Sequence, residues 1–338
     1  MVRSGTMRAL VTGAGGFLGR ALVRALVARG DEVRALVRSE PVEPLAGPGV
    51  EVVRGDALDA DAMRSAVRGC DLVFHLAGVR RAISLDAFHS GNAETTRVAL
   101  EACVAEAPGL RRFVLAGSLA ACGPSATPRR EEDPFAPAEY YGASKAKAEQ
   151  IALSFRDRLP VAVARPPRIM GPGDRENLLF FKIAARGLVL AIGGGERPLS
   201  WIDVDDCARG MLALADHPAA IGESFFLASP EQTSVTGLQQ AIATALGVRA
   251  RRIPVPERAL HSAAVLGEAF TRIAGKKLPL NRKLVRQILA PGWVCDPGKA
   301  RERLGFVAGT PLAASVARAA EWYRAHGMIQ GKRSPLPQ

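Results

Sequence analysis

The chain has 338 residues, 48% of them hydrophobic, which predicts an α/β unit with a second lobe rather than one small domain. Lys and Arg total 45 against 33 Asp and Glu, a formal charge of +12, but the basic residues are spread beside acids, which favours a solvated arginine-rich surface over a nucleic-acid or membrane partner. Five cysteines with no CxxC exclude a disulfide framework and a zinc site, and no apolar run approaches the roughly 18 residues of a membrane span, so a cytoplasmic protein is expected.

In chain order, "MVRSGT" is too short and polar for a signal peptide, and Met7 is the expected start of the fold. "RALVT" reads as a strand running into a glycine cluster. From Phe17 the apolar residues recur at helical spacing up to Gly30, and "EVRALV" begins a second strand. The alternation continues: strand "VEVVRGD", helix "DADAMRSAVRG" capped by Asp59 or Asp61, strand "DLVFHLAG", helix "AETTRVALEACVAEA", strand "RRFVLAGS". A proline-rich loop follows, then helix "YYGASKAKAEQIALSFRDR" and strand "VAVARP". Strands alternating with helices predict a doubly wound parallel sheet of the Rossmann type, with helices on both faces.

After Arg165 the rhythm loosens, with helical patterns at 205–215, 236–247, 257–275 and 311–326. The predicted division is a dinucleotide-binding domain of residues 7–166 plus about 200–228. A smaller, mainly helical substrate lobe takes 167–199 and 229–330, and a disordered tail takes 331–338.

Gly13, Gly16 and Gly19 form G-x-x-G-x-x-G between the first strand and the first helix. A turn without side chains lets a pyrophosphate reach the helix N-terminus, where N–H groups and the helix dipole stabilise it. Gly13, Gly16, Phe17, Leu18 and Gly19 are therefore predicted cofactor-binding positions. The second strand ends Val37-Arg38-Ser39 with no acid until Glu40. Arg38 suits a 2′-phosphate, so NADP(H) is favoured over NAD(H). Asp56 reads either as a partner of the adenine amine or as a helix cap, with Ala57 beside it.

Tyr141 and Lys145 are four residues apart and share a helix face, whereas Tyr140 pairs with Ser144 and gains no cation. A tyrosine with an ordinary pKa near 10 needs a fall of about three units, or about 4 kcal/mol, to exchange protons at neutral pH. A lysine ammonium one turn away in a site closed to water favours the phenolate in that way.

With these residues in view, the chain resembles an extended short-chain dehydrogenase/reductase of the epimerase/dehydratase-like superfamily over nearly its whole length. The stretches that carry the likeness are "TGAGGFLG" (12–19), "GDALD" (55–59), "HLAG" (75–78), "GNAETTRVALEAC" (91–103), "AGSLAACG" (116–123), "YYGASK" (140–145), "RPPRIMGPGD" (165–174) and "WIDVDD" (201–206). The resemblance implies Tyr141 as general acid/base, Lys145 on the nicotinamide ribose, and Ser118 orienting the substrate oxygen. It implies Leu76, Ala77 and Gly78 along the cofactor, and Pro166 and Pro167 near the nicotinamide. Asn92 matches a position near the active site or else caps a helix.

Two departures stand out. Cys122-Gly123 replaces the usual Tyr-Gly, and Gly117 stands where a second Ser or Thr is common. Ser118-Leu119-Ala120 lacks the carboxylate of a sugar dehydratase, which needs a separate acid and base. Arg168 replaces the Asn of sugar epimerases. "RPPRIMGPGD" and "GWVCDPGKARERLGF…EWYRAHG" resemble the 3β-hydroxysteroid dehydrogenase-like and dihydroflavonol-reductase-like branch.

The resemblance thus implies an NADP(H)-dependent enzyme interconverting a ketone and a secondary alcohol on a largely apolar small molecule. The alternatives are a nucleotide-sugar 4-epimerase with tightly held NAD, and a non-catalytic dinucleotide-sensing or RNA-binding module. "NLLFFKIAARGL" (177–188) is read as facing the cleft or as core, and helix 257–275, with Leu260, Val265, Leu266, Phe270 and Ile273, as a packed helix rather than a lid or a membrane-touching face. The resemblance also implies a homodimer through helices 86–106 and 140–157; no metal and no nucleic acid are expected.

Overall fold

The computed structural model describes residues 5–39, 45, 47–193, 196–274 and 282–329, with the side chains of 268–274 and 282–284 left aside. The tail 331–338, Glu40, and the Phe270 and Ile273 side chains lie outside the described residues.

The first half alternates as predicted: β1 (Arg8–Thr12), α1 (Phe17–Ala28), β2 (Glu32–Val37), β3 (Val50–Arg54), α2 (Ala60–Val67) and β4 (Leu72–His75). Then come α3 (Leu85–Phe88), a π-helical turn at His89–Glu94, α4 (Thr95–Glu106), β5 (Arg112–Ala116), β6 (Ser125–Arg129), α5 (Tyr140–Ser154) and β7 (Val161–Ala164). The second half runs β8 (Arg168–Met170), α6 (Leu178–Ala185), β9 (Leu188–Ile192), β10 (Pro198–Leu199), β11 (Trp201–Asp203), α7 (Val204–Asp216) and β12 (Glu223–Phe225). It closes with β13 (Thr233–Ser234), α8 (Val235–Leu246), β14 (Arg251–Val255), α9 (Glu257–Ala274), α10 (Arg282–Ile288), β15 (Trp293–Cys295), α11 (Gly298–Leu304) and α12 (Leu312–Ala325).

Seven parallel strands form one sheet in the order β12-β7-β5-β4-β1-β2-β3. The order reverses between β1 and β4, and the crevice above that switch point is where open α/β sheets bind ligands. Side chains alternate across the sheet. Ala9 and Val11 of β1 pack with α1 and α7, while Leu10 packs with α2, α4 and α5. Burial on both faces explains why these strands read as apolar runs.

A third cluster, built on Phe181, Trp201, Ile242 and Tyr323, holds α6, α8 and α12 together. Asp203 couples it to the sheet domain. It caps α7 through Asp205 N (2.9 Å) and accepts from Ser315 Oγ (2.6 Å) and Arg318 Nη2 (2.6 Å) on α12.

The structure departs from the sequence expectations in four places. Residues 85–106 are not one helix: the π turn at 89–94 widens the coil and turns Asn92 inward, a device common at functional sites. The proline-rich loop after β5 contains β6, which pairs in parallel with β15, and no periodicity signals so short a strand. In segment 177–188 the two readings divide: Phe181 is fully buried, Phe180 lies under the Arg168 guanidinium, and Leu179 is exposed. On α9, Ala264 is buried while Val265 and Leu266 are exposed, so those two do not pack as predicted. Asp59, not Asp61, caps α2. All five thiols are buried and unpaired. Among the described residues no helix is long and apolar enough to cross a membrane.

Candidate active site

The glycine turn follows β1 directly. Gly13 has φ +68°, a left-handed conformation that a side chain resists, and a Cβ there would lie 2.9 Å from the Leu76 carbonyl carbon and the Ala77 nitrogen. A Cβ on Gly19 would run into the backbone of Gly13 and Ala14. The turn therefore packs as backbone on backbone, and Gly13 borders a crevice of ≈ 170 Å³. Gly13, Arg38, Asp56, Ala57, Ala77 and Gly78 are among its walls. Phe17 and Leu18 are half-buried at the start of α1, and Phe17 faces Gly173. Asp56 does not cap α2. Its Oδ1 accepts from Leu58 N (3.0 Å) in the turn before the helix. This Cβ-free cradle suits a dinucleotide, with Arg38 exposed beside it.

A larger hollow of ≈ 420 Å³ between β6, β15 and α11 is lined by Arg130, Asp296, Arg301 and Phe306. None of the predicted site residues lines it. Convergent chemistry, not volume, identifies the site.

Thr12 and His75 sit side by side at the ends of β1 and β4. Thr12 Oγ1 accepts from Leu76 N (3.1 Å) and Ala77 N (3.0 Å), so its own proton goes to His75 Nδ1 at 3.0 Å. His75 is thereby the Nε2–H tautomer. Burial first, and the Lys145 charge second, push its pKa down to about 3, so it is neutral at physiological pH.

The catalytic candidates converge next to this pair. Glu139 caps α5, accepting from Tyr141 N (3.2 Å) and Gly142 N (2.9 Å). A Cβ on Gly142 would meet the Ala120 carbonyl, so only glycine lets α5 approach the turn that carries Ser118. Ser118 caps that turn, accepting from Ala120 N (3.1 Å), and its hydroxyl favours the Tyr141 phenolate. Phe88 backs the Tyr141 ring edge-on at 6.3 Å. Lys145 is 7% exposed, and its Nζ donates to the Ala116 carbonyl (2.7 Å) below Gly78. Pro166 accepts from Leu119 N (3.0 Å), which brings Pro166 and Pro167 beside Ser118.

The electrostatics differ from the sequence expectation. Burial raises the Tyr141 pKa, outweighing the Arg80 charge and the Ser118 hydrogen bond that lower it. Among the nearby cations Arg80 bears most on the phenol. Burial, then Arg80, hold the Lys145 pKa at about 8. The phenol is thus protonated at neutral pH.

Asn92 is neither a cap nor solvent-facing. Its Nδ2 donates to Ser144 Oγ (2.8 Å) and Val79 O (3.0 Å), and its Oδ1 accepts from Val79 N (2.8 Å). Ser144 Oγ in turn donates to the Tyr141 carbonyl (2.7 Å), so Asn92 ties the loop after β4 to the tyrosine helix. Both departures have a physical reason. A Cβ on Gly117 would lie 2.7 Å from the Ala164 carbonyl, which leaves no room for a second Ser or Thr. Cys122 packs in a buried cluster with Phe226 and Cys295, and burial raises its thiol pKa to about 11.

Sequence reasoning missed Arg80, His75 and Thr12. Arg80 was visible only as half of an arginine pair after "HLAG".

Comparison with known proteins agrees with this architecture. The family model described as "NAD dependent epimerase/dehydratase family" matches residues 9–228. The chain is 32% identical over 320 residues to a ceramide reductase of Caulobacter vibrioides, covering 94% of this chain and 95% of that protein. It is 32% identical over 326 residues to a 2-alkyl-3-oxoalkanoate reductase of Stenotrophomonas maltophilia, covering 89% and 94%. The crystal structure of gox2253 superposes with a TM-score of 0.80 at 26% identity, covering 96% of this chain and all of that one. The chain belongs to the NAD-dependent epimerase/dehydratase family of extended short-chain dehydrogenases/reductases and is an NAD(P)-dependent enzyme.

Proposed function

We propose that this enzyme is an NADP(H)-dependent oxidoreductase that interconverts a ketone and a secondary alcohol on a largely apolar small molecule. The observation that carries the reading is the convergence of Ser118, Tyr141 and Lys145 beyond the ends of β4 and β5, where the Ser118 hydroxyl favours the Tyr141 phenolate and Lys145 lies below Gly78. The named reductases among its relatives act in the same sense.

Gly13, Gly16, Phe17, Leu18 and Gly19 hold the dinucleotide pyrophosphate at the α1 N-terminus. Arg38 takes the 2′-phosphate, Asp56 and Ala57 border the adenine, and Leu76, Ala77, Gly78, Pro166 and Pro167 border the nicotinamide. When bound, the nicotinamide supplies or accepts the hydride. Ser118 donates to the substrate carbonyl oxygen and fixes its position. Tyr141, protonated at neutral pH, gives its phenolic proton to that oxygen as the alcohol forms. In the reverse direction the Arg80 charge stabilises the phenolate. Lys145 holds the ribose and stays cationic below about pH 8.

Steady consumption of NADPH with a panel of ketones, in preference to NADH, is the expected result. Preference for NADH overturns the Arg38 assignment. Protein that purifies with NAD visible in its absorbance, and interconverts nucleotide sugars without consuming NADPH, overturns the oxidoreductase reading in favour of an epimerase.

A further inference from the structure

Glu149 lies one turn beyond Lys145 and two beyond Tyr141 on α5, so the three side chains share a helix face. Its carboxylate is fully buried. Arg165, just after β7 and 4% exposed, donates from Nε to Glu149 Oε1 (2.9 Å) and Oε2 (3.0 Å), and its Nη2 lies 2.7 Å from Oε1. Ser224 of β12 donates to the same Oε1. The guanidinium lies over the rings of Phe135 (5.2 Å) and Phe226 (5.5 Å), and its Nη1 donates to Glu131 O (2.9 Å). Four segments therefore meet at one ion pair: α5, the stretch leading into Pro166 and Pro167, the loop before α5, and β12.

A buried ion pair adds little net stability, because desolvating two charges costs about as much as their attraction returns. What it contributes here is position. A Cβ on Gly117 would come 3.6 Å from Glu149 Oε2, so the carboxylate lies against the backbone at 117. Gly117 stands between Ala116, whose carbonyl takes the Lys145 ammonium (2.7 Å), and Ser118.

We propose that Glu149, clamped by Arg165, is a positioning residue for Lys145: it locks the α5 turn that carries the lysine against the Ala116–Ser118 turn, so that the ammonium stays where the cofactor ribose is held. The inference rests on Lys145 as the ribose-holding residue of the proposed reductase. Besides place, Glu149 supplies charge. Of the charged groups acting on Lys145, Arg80 lowers its pKa and Glu149 raises it, while His75, from β4, is neutral.

The test measures NADPH Kd by fluorescence titration as pH rises through about 8, where Lys145 loses its proton, in the wild type, Glu149→Gln and Arg165→Lys. Ketone turnover and thermal unfolding are recorded alongside. Wild-type affinity falls above that pH. Glu149→Gln keeps the shape but not the charge, and the midpoint of the fall moves down by about half a unit or more. Arg165→Lys keeps both charges but not the planar fork. Its midpoint stays, while NADPH binding and kcat both weaken about tenfold.

A lower melting temperature with Kd, midpoint and kcat all within about twofold of wild type marks a purely structural ion pair and overturns the proposal. A midpoint that does not move in Glu149→Gln, or an Arg165→Lys chain that binds as the wild type does, overturns it too. Where either variant fails to fold, Ser224→Ala, which removes one donor to Glu149 and keeps the ion pair, decides by the same titration: NADPH bound at least about twofold more weakly sustains the clamp, and an unchanged Kd overturns it. If the wild type reduces no ketone or prefers NADH, the function reading fails separately, and titration with the dinucleotide that binds decides. A wild-type affinity indifferent to pH around 8 removes Lys145 from the ribose and the proposal with it.

Discussion

The two sides of the cleft are built from different materials. The dinucleotide side is mostly backbone: Gly13 against Leu76 and Ala77, Gly19 against Gly13 and Ala14, N–H groups at the start of α1. The proposed substrate side is mostly side chain: Ser118 from the turn after β5, Tyr141 from α5 and Arg80 from the loop after β4. Backbone cradles tolerate no added atoms but are indifferent to most side chains around them. A side-chain cluster accepts small shape changes but depends on each charge it holds. The two sides are therefore expected to fail in different ways, and substitutions on each sharpen or break the distinction.

The largest expected effect lies on the substrate side. Tyr141→Phe lowers kcat about 10²- to 10⁴-fold in steady-state assays, while NADPH binding by fluorescence titration stays within about twofold of wild type. Loss of cofactor binding in this variant would erase the proposed separation.

His75 lies at the seam, buried and neutral. Its folded pKa near 3, against 6.5 for a free imidazole, means that the folded state binds fewer protons between those values. Stability therefore falls as pH drops from 6.5 towards 3, at roughly 1.4 kcal/mol per unit and at most about 5 kcal/mol in all. Urea titrations across that window measure the slope, and His75→Phe flattens it. An equal slope in the variant puts the acid sensitivity elsewhere.

Gly13→Ala tests the backbone side. The left-handed φ and the 2.9 Å approach to Leu76 and Ala77 predict a loss of about 1–3 kcal/mol in thermal unfolding, with weakened NADPH binding. The smallest effect belongs to an exposed side chain of that side. Arg38→Ala lowers the preference for NADPH over NADH about tenfold and leaves NADH binding unchanged.

The same contrast explains what the sequence reveals. The parallel sheet is legible because its strands are buried on both faces and its helices are amphipathic. The glycine turn is legible because conformations with positive φ and close approach demand glycine. Tyr141 and Lys145 are legible because a helix fixes residues four apart on one face. Arg80 is not, since an arginine in a loop carries no mark of what it faces, and its backbone is set by Asn92, which bonds both polar groups of Val79. Nor is the π turn, which changes no local propensity and yet buries Asn92. The electrostatic sign at Tyr141 was equally hidden: sequence supplies the neighbouring lysine but not the burial that outweighs nearby cations.

The five sequestered sulfur atoms give the molecule a built-in reporter. Cys207 sits under the α1–α7 layer, Cys70 and Cys103 under the α2–α4 layer, and Cys122 with Cys295 near the β6–β15 junction. Since burial also keeps each of them protonated, alkylating reagents act only when a layer opens, and the order in which the masses of modified peptides appear traces which layer loosens first.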